Sequence, residues 1–141
     1  MSASIAALDV GERRIGVAMA DTVARIAHPF ATLDHDKEVV EELARLLHEQ
    51  NVRVLVIGLP RGLAGQQTAQ ATYTKEFVQK LRAKVALPIH WQDEAVTSKQ
   101  AENELRKRGK PYTKGDIDAL AATYVLEDFL ASGRHDKLGD V

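Results

Sequence analysis

Three acids stand where a sheet-based active site draws its residues. Asp9 closes a short apolar run, Ile5-Ala6-Ala7-Leu8. Glu94 ends a second strand candidate that begins at Pro88. Asp118 falls in the first turn of a helix expected over residues 116–130. Each has an ordinary explanation when taken alone. Asp9 before Val10-Gly11 could simply start a turn, Asp93-Glu94 could be solvated loop acids, and Asp118 could complement a helix dipole at about 0.3–1 kcal/mol. Taken together, two strand ends and one helix can meet at the carboxyl edge of a sheet, where open α/β sheets bind ligands. Clustered carboxylates repel, and one stays protonated unless a cation lies between them. Oxygen-only ligands select a hard cation, Mg²⁺ or Mn²⁺. A two-metal site of this kind serves phosphodiester hydrolysis by activating water and stabilising the leaving oxygen.

That chemistry needs no side-chain nucleophile, which agrees with the rest of the composition. There is no cysteine, so disulfides, thiol catalysis and Cys-ligated zinc are excluded. His28, His35, His48, His90 and His135 are scattered without metal-ligand spacing. The basic residues are better placed. Arg106-Lys107-Arg108-Gly109-Lys110-Pro111-Tyr112-Thr113-Lys114 holds five bases and no acid, and leads into the helix of Asp118. Its Gly and Pro suggest a mobile loop, and its charge suits a polyanion whose phosphate must reach acid-held metals. Arg13 and Arg14 follow Asp9 closely and add to the same side. Gly58-Leu59-Pro60-Arg61-Gly62-Leu63-Ala64-Gly65 lacks both P-loop and dinucleotide-binding spacing. It reads either as a plain crossover loop or as one whose backbone and Arg61 approach phosphates.

The elements that must carry these residues follow from hydrophobic period. Ile5–Leu8, Ile15–Ala20 and Ile26–Leu33 are short strands joined by tight turns, an antiparallel meander. Pro29 inside the third favours an edge or a bulge. Residues 37–50 have helical spacing, with Asp34 or Asp36 as candidate caps. Val52–Gly58 is nearly continuous and β-branched, which marks a strand buried on both faces. A helix over 68–84, a strand over 88–92, a helix from Thr97 to Arg108 opened by a Thr97/Gln100 capping box, and the final helix complete the order βββαβαβαα. Ala121 and Ala122, one turn beyond Asp118, would let the last helix approach the sheet closely. A meander joined to parallel strands predicts one α/β domain over 1–141, with a mixed five-stranded sheet covered by helices on both faces. Residues 131–141 are expected to form a flexible tail.

The 141 residues are 45% hydrophobic and 28% charged, ordinary for a globular domain. The net charge of −1 excludes a uniformly basic or acidic polymer binder, but not unlike charges on separate faces. No apolar run reaches the roughly 20 residues of a membrane span. The N-terminus does not read as a signal peptide, so a cytoplasmic protein without a membrane partner is expected. Asp9-Val10-Gly11 before a hairpin also suggests the phosphate-binding turn of actin-like ATPases and sugar kinases. Those need two lobes to close over ATP, and a chain of this length is expected to supply one.

Four motifs, in order, resemble the YqgF or RuvX-like family of Holliday junction resolvases and pre-16S ribosomal RNA nucleases, within the RNase H-like superfamily. They are Asp9-Val10-Gly11-Glu12-Arg13-Arg14-Ile15-Gly16-Val17-Ala18, Ile57-Gly58-Leu59-Pro60 with Gly65, Asp93-Glu94-Ala95-Val96-Thr97-Ser98, and Lys114 with Asp118-Ala119-Leu120-Ala121-Ala122. The resemblance spans roughly residues 5–130. It implies an RNase H-like fold, a catalytic metal-binding triad of Asp9, Glu94 and Asp118, and Mg²⁺ or Mn²⁺ as cofactor. It further implies structured precursor rRNA as substrate, with DNA junctions as the alternative and a homodimer as the form resolving them. A catalytically weak nucleic-acid-binding module is the third reading. Ala95 replaces an Arg of the family pattern, which leaves backbone contacts to other bases such as Lys99 or Arg106. Arg13, Arg14, Arg61, Lys99, Arg106, Lys107, Arg108, Lys110 and Lys114 are the expected nucleic-acid contacts.

Overall fold

A computed structural model describes residues 2–60, 68–94 and 97–133 of the chain. Among them the elements follow in the expected order: β1 (Ser4–Val10), β2 (Arg14–Asp21), β3 (His28–Asp34), α1 (Val39–Glu49), β4 (Val52–Pro60), α2 (Ala69–Arg82), β5 (Ile89–Glu94), α3 (Thr97–Arg108) and α4 (Lys114–Ala131). The strands form one five-stranded sheet in the order β3-β2-β1-β4-β5. The β1–β2 and β2–β3 pairs are antiparallel, whereas β1–β4 and β4–β5 are parallel. The carboxyl ends of β1, β4 and β5 therefore share one edge.

Alternation along the strands sorts side chains between two cores. Ala6, Leu8, Val10, Ile15, Val17 and Ile57 pack with Val39, Leu43 and Leu47 of α1 and Phe77, Val78 and Leu81 of α2. Ile5, Ala7, Ala18, Ala20, Val54 and Val56 pack on the other face with Ala122, Val125, Leu126 and Phe129 of α4. β4 is buried on both faces, as its β-branched run predicts. α3 does not join these two cores. Its Ala101 packs against Leu120 and Ala121 of α4.

Several local expectations are corrected. β3 begins at His28 rather than Ile26. It is an edge strand, and Phe30 is bulged between the pairs Val17–Ala31 and Ala18–Pro29, so Pro29 marks both an edge and a bulge. Neither Asp34 nor Asp36 is the cap of α1. That position is Glu38, whose side chain makes no cap bond, while Asp36 Oδ1 accepts the Glu38 N–H at 2.9 Å. α3 begins at Thr97, and the expected Thr97/Gln100 capping box rests on a side chain outside what the structure describes. A capping box is present at α4. Thr113 accepts from the Asp116 N–H at 3.1 Å, and Asp116 accepts from the Thr113 N–H at 2.9 Å. The helix therefore starts two residues earlier than expected, and Asp118 sits in its second turn. The basic run is not one loop. Arg106 to Arg108 are the last turn of α3, Gly109 ends that helix at φ 75°, and Lys114 opens α4. Ala131 is helical, and the rest of the expected tail beyond Gly133 lies outside the described residues.

Candidate active site

The strand period places Asp9, Gly16 and Gly58 on the face covered by α4, and Glu94 on the same face of β5. Asp9 and Gly16 are partners across the β1–β2 pair. A Cβ on Gly16 would lie 2.0 Å from the carbonyl oxygen of Asp118. Only a glycine lets the backbone of α4 rest there, and so the carboxylates of Asp9 and Asp118 are brought together. Ala122 does face the sheet, but Ala121 packs on α3, so the approach expected from both alanines is set chiefly by Gly16. Gly58 repeats the arrangement on β4, where a Cβ would meet Val125 at 2.8 Å.

Asp9, Glu94 and Asp118 line one cleft of about 450 Å³, together with Gly11, Gly58, Gln70, Ser98 and Lys99. Burial, and then the charge of Asp118, push the Asp9 carboxyl up to about 6. Glu94 is raised further, to about 8, by burial, by a hydrogen bond with Asp128, and by the charges of Asp128, Asp9 and Asp93. Among the described residues Glu94 Oε1 is buried without a hydrogen-bond partner. An orphaned buried carboxylate oxygen is costly, and a cation in the cleft would satisfy it. The donor set fits a hard divalent ion, since all three candidate ligands are carboxylates. Among the described residues no group of three or more His, Cys, Asp or Glu forms a ready-made metal centre. Two of the acids have partners outside the group, Arg14 for Asp118 and Asp128 for Glu94.

The turn after Asp9 is held from behind. Gln70 Nε2 donates to the Val10 carbonyl at 2.7 Å, and the His35 N–H donates to the Arg13 carbonyl at 2.8 Å. The His35 ring lies 2.7 Å from the Gly11 carbonyl and 3.1 Å from the Tyr73 hydroxyl, and its edge meets Phe77. These contacts fix the backbone that presents Asp9. Sequence reasoning missed Gln70, His35 and Asp128. Asp128 carried a readable signal, as an acid on the helix that already bears Asp118. Gln70 carried none, because its role rests on α2 meeting the β1–β2 turn.

The expected bases divide into three groups. Lys99 lines the acidic cleft. Arg14 donates from Nε to Asp118 Oδ2 at 2.5 Å, Arg13 is exposed beside it, and Lys114 stands one turn before Asp118 on α4. The run on α3 lies elsewhere. Arg106 pairs with Glu102 at 3.8 Å and Arg108 pairs with Glu104. Tyr112 and Tyr124 donate to the same two acids. Arg108 and Lys110 line a separate hollow with Pro29, Pro111 and Tyr112, while Lys107 is exposed. Arg61 lies outside the described residues.

Residues 3–132 match the RuvX family, described as "Holliday junction resolvase". A protein of Chloroflexus aggregans named "Putative pre-16S rRNA nuclease" is 43% identical over 136 residues, covering 94% of this chain and 96% of the relative. One from a Synechocystis species bearing the same name is 39% identical, covering 92% and 90%. Among solved structures, Thermus thermophilus RuvC in complex with a Holliday junction substrate superposes with a TM-score of 0.54 at 15% identity, over 92% of this chain and 94% of that one. The fowlpox virus resolvase with junction DNA gives 0.56 at 16%, over 92% and 97%. At such identities the likeness is one of fold, and the fold is that of RNase H-like resolvases.

Proposed function

The chain belongs to the RuvX family, and from that premise we propose that it is a metal-dependent nuclease hydrolysing phosphodiester bonds in structured RNA. Its substrate on this reading is the 5′ end of precursor 16S rRNA, in the cytoplasm. The observation that carries the reading is the gathering of Asp9, Glu94 and Asp118 in one cleft, with a buried Glu94 oxygen that has no partner among the described residues. The three carboxylates are the residues that would hold Mg²⁺ or Mn²⁺. A bound ion of this class supplies water acidic enough to attack at neutral pH and neutralises charge building on the phosphate. The chain supplies the rest. Gly16 and the Gln70–Val10 bond hold two of the ligands in place, and Lys99 offers a cation to the phosphate on the cleft wall. Arg13 and Lys114 attract the flanking backbone.

A cleavage assay with Mn²⁺ tests this, comparing precursor rRNA, single-stranded RNA and four-way DNA junctions. Cleavage of the precursor that is lost in Asp9→Asn supports the reading. Cleavage that survives this change in purified protein refutes it. The family description and the junction-bound relatives of the same fold favour a second reading, resolution of DNA junctions. A junction offers two symmetric strands, so that activity calls for a homodimer. A strict monomer by sedimentation together with uncut junctions would remove it.

A further inference from the structure

Arg14 is the only expected nucleic-acid contact that touches a candidate metal ligand among the described residues. Its Nε sits 2.5 Å from Asp118 Oδ2, with the two side chains 29% and 19% exposed. That contact uses one of the five guanidinium donors. The others make no hydrogen bond or ion pair among the described residues. Arg14 opens β2, and its neighbour Arg13 is exposed. The guanidinium therefore stands between an anion inside the protein and the side from which a polyanion would arrive.

We propose that Arg14 is a positioning residue that makes cation binding at Asp118 answer to nucleic acid. Held on Asp118, its positive charge opposes a divalent ion on the same carboxylate. A backbone phosphate is a better partner for the guanidinium fork, because it accepts two parallel hydrogen bonds. Drawing Arg14 onto the phosphate frees Asp118 for the ion. By linkage, ion and nucleic acid then strengthen one another's binding. Arginine suits this role because lysine offers a single charged point in place of the fork.

This inference rests on the metal-dependent reading above, and a double-mutant cycle on binding separates the two. Mn²⁺ affinity is measured by calorimetry without nucleic acid for the wild type, Arg14→Gln, Asp118→Asn and the double variant. Affinity for a short RNA hairpin is measured in EDTA, where no cleavage occurs. Arg14→Gln is expected to bind Mn²⁺ about fivefold more tightly, the scale of one partly exposed ion pair. It is expected to bind the hairpin more weakly, with the salt slope reduced by about one. In the Asp118→Asn background the same change is expected to leave Mn²⁺ affinity unaltered. Opposite shifts are the signature, because a merely structural defect would weaken both. Equal or weaker Mn²⁺ binding by Arg14→Gln, with Asp118→Asn still impairing it, overturns the role of Arg14 alone. Mn²⁺ binding that ignores Asp118→Asn overturns both readings.

Discussion

Gly16 and Asp118 are in backbone contact, a strand residue against the second turn of a helix, with room for no Cβ between them. A Cβ at Gly16 would stand 2.0 Å from Asp118 O, 2.3 Å from its carbonyl carbon and 2.9 Å from the Ala119 nitrogen. These are backbone atoms and cannot rotate aside. Gly16→Ala must therefore lift α4 or bend β2. The expected loss is about 3 kcal/mol or more, the upper range for overpacking, read as a fall in the urea midpoint. Gly58→Ala meets a methyl of Val125 instead and should cost less, about 1–2 kcal/mol. Equal losses for the two would place the tight contact elsewhere.

The raised carboxyls make stability fall as pH rises. Asp9 goes from 3.8 to about 6, and Glu94 from 4.5 to about 8. Between these limits the folded protein holds more protons than the unfolded chain, so unfolding free energy drops with increasing pH. Their contribution is complete below pH 4 and is lost as pH passes through 6 and then 8. Thermal unfolding in EDTA should show a Tm falling over that window, flattened in Asp9→Asn and Glu94→Gln. Added Mn²⁺ should restore Tm most at the alkaline end, where the ligands are ionised.

Asp9→Asn is expected to lower cleavage by at least a hundredfold, the scale of losing a group that stabilises transition-state charge. At pH 8 in EDTA the same variant should be at least as stable as the wild type, since it buries no charge. A variant that is both inactive and destabilised would point to misfolding instead.

Lys99 and Lys110 should behave differently, because one lines the acidic cleft and the other a separate hollow. Lys99→Ala should lower kcat about tenfold or more. Lys110→Ala should leave kcat near the wild-type value, weaken binding and reduce the salt slope by about one. Single-turnover rates at saturating enzyme separate the two effects.

Thr113→Ala removes the side chain that caps α4 and should cost about 1 kcal/mol. Asp118 stands five residues further on, so activity should fall less than in Gly16→Ala. The comparison tells fraying at the helix start from displacement of the whole helix.

Element order is legible because it rests on local pattern, and the meeting of Asp9, Glu94 and Asp118 in one cleft follows from their places at two strand ends and on α4. Apolar runs such as Val52–Gly58 and helical spacing such as Val39, Leu43 and Leu47 survive into the structure almost residue for residue. Caps were read less well. The α1 cap position is Glu38 rather than Asp34 or Asp36, and the box of Thr113 and Asp116 goes unread because the sequence alone sets the start of α4 two residues late. Asp128, Gln70 and His35 were missed because their partners are far away in sequence, at Glu94, Val10 and Gly11. Charge, Gly and Pro together make the basic run read as one mobile loop. Its arginines turned out to be matched by acids four residues back on their own helix.

The helix that bears Asp118 also contributes Val125, Leu126 and Phe129 to the core, all 1% exposed or less. Among the described residues α3, which carries Lys99, contributes only Ala101 to the buried clusters, with partly buried Leu105 against it. The two sides of the cleft should therefore open at different free energies. Amide hydrogens along α4 should exchange only when the whole domain unfolds, whereas those of α3 should exchange through smaller, more frequent openings. A ligand held on Asp118 would then slow exchange throughout the protein, while one held on Lys99 would slow it locally.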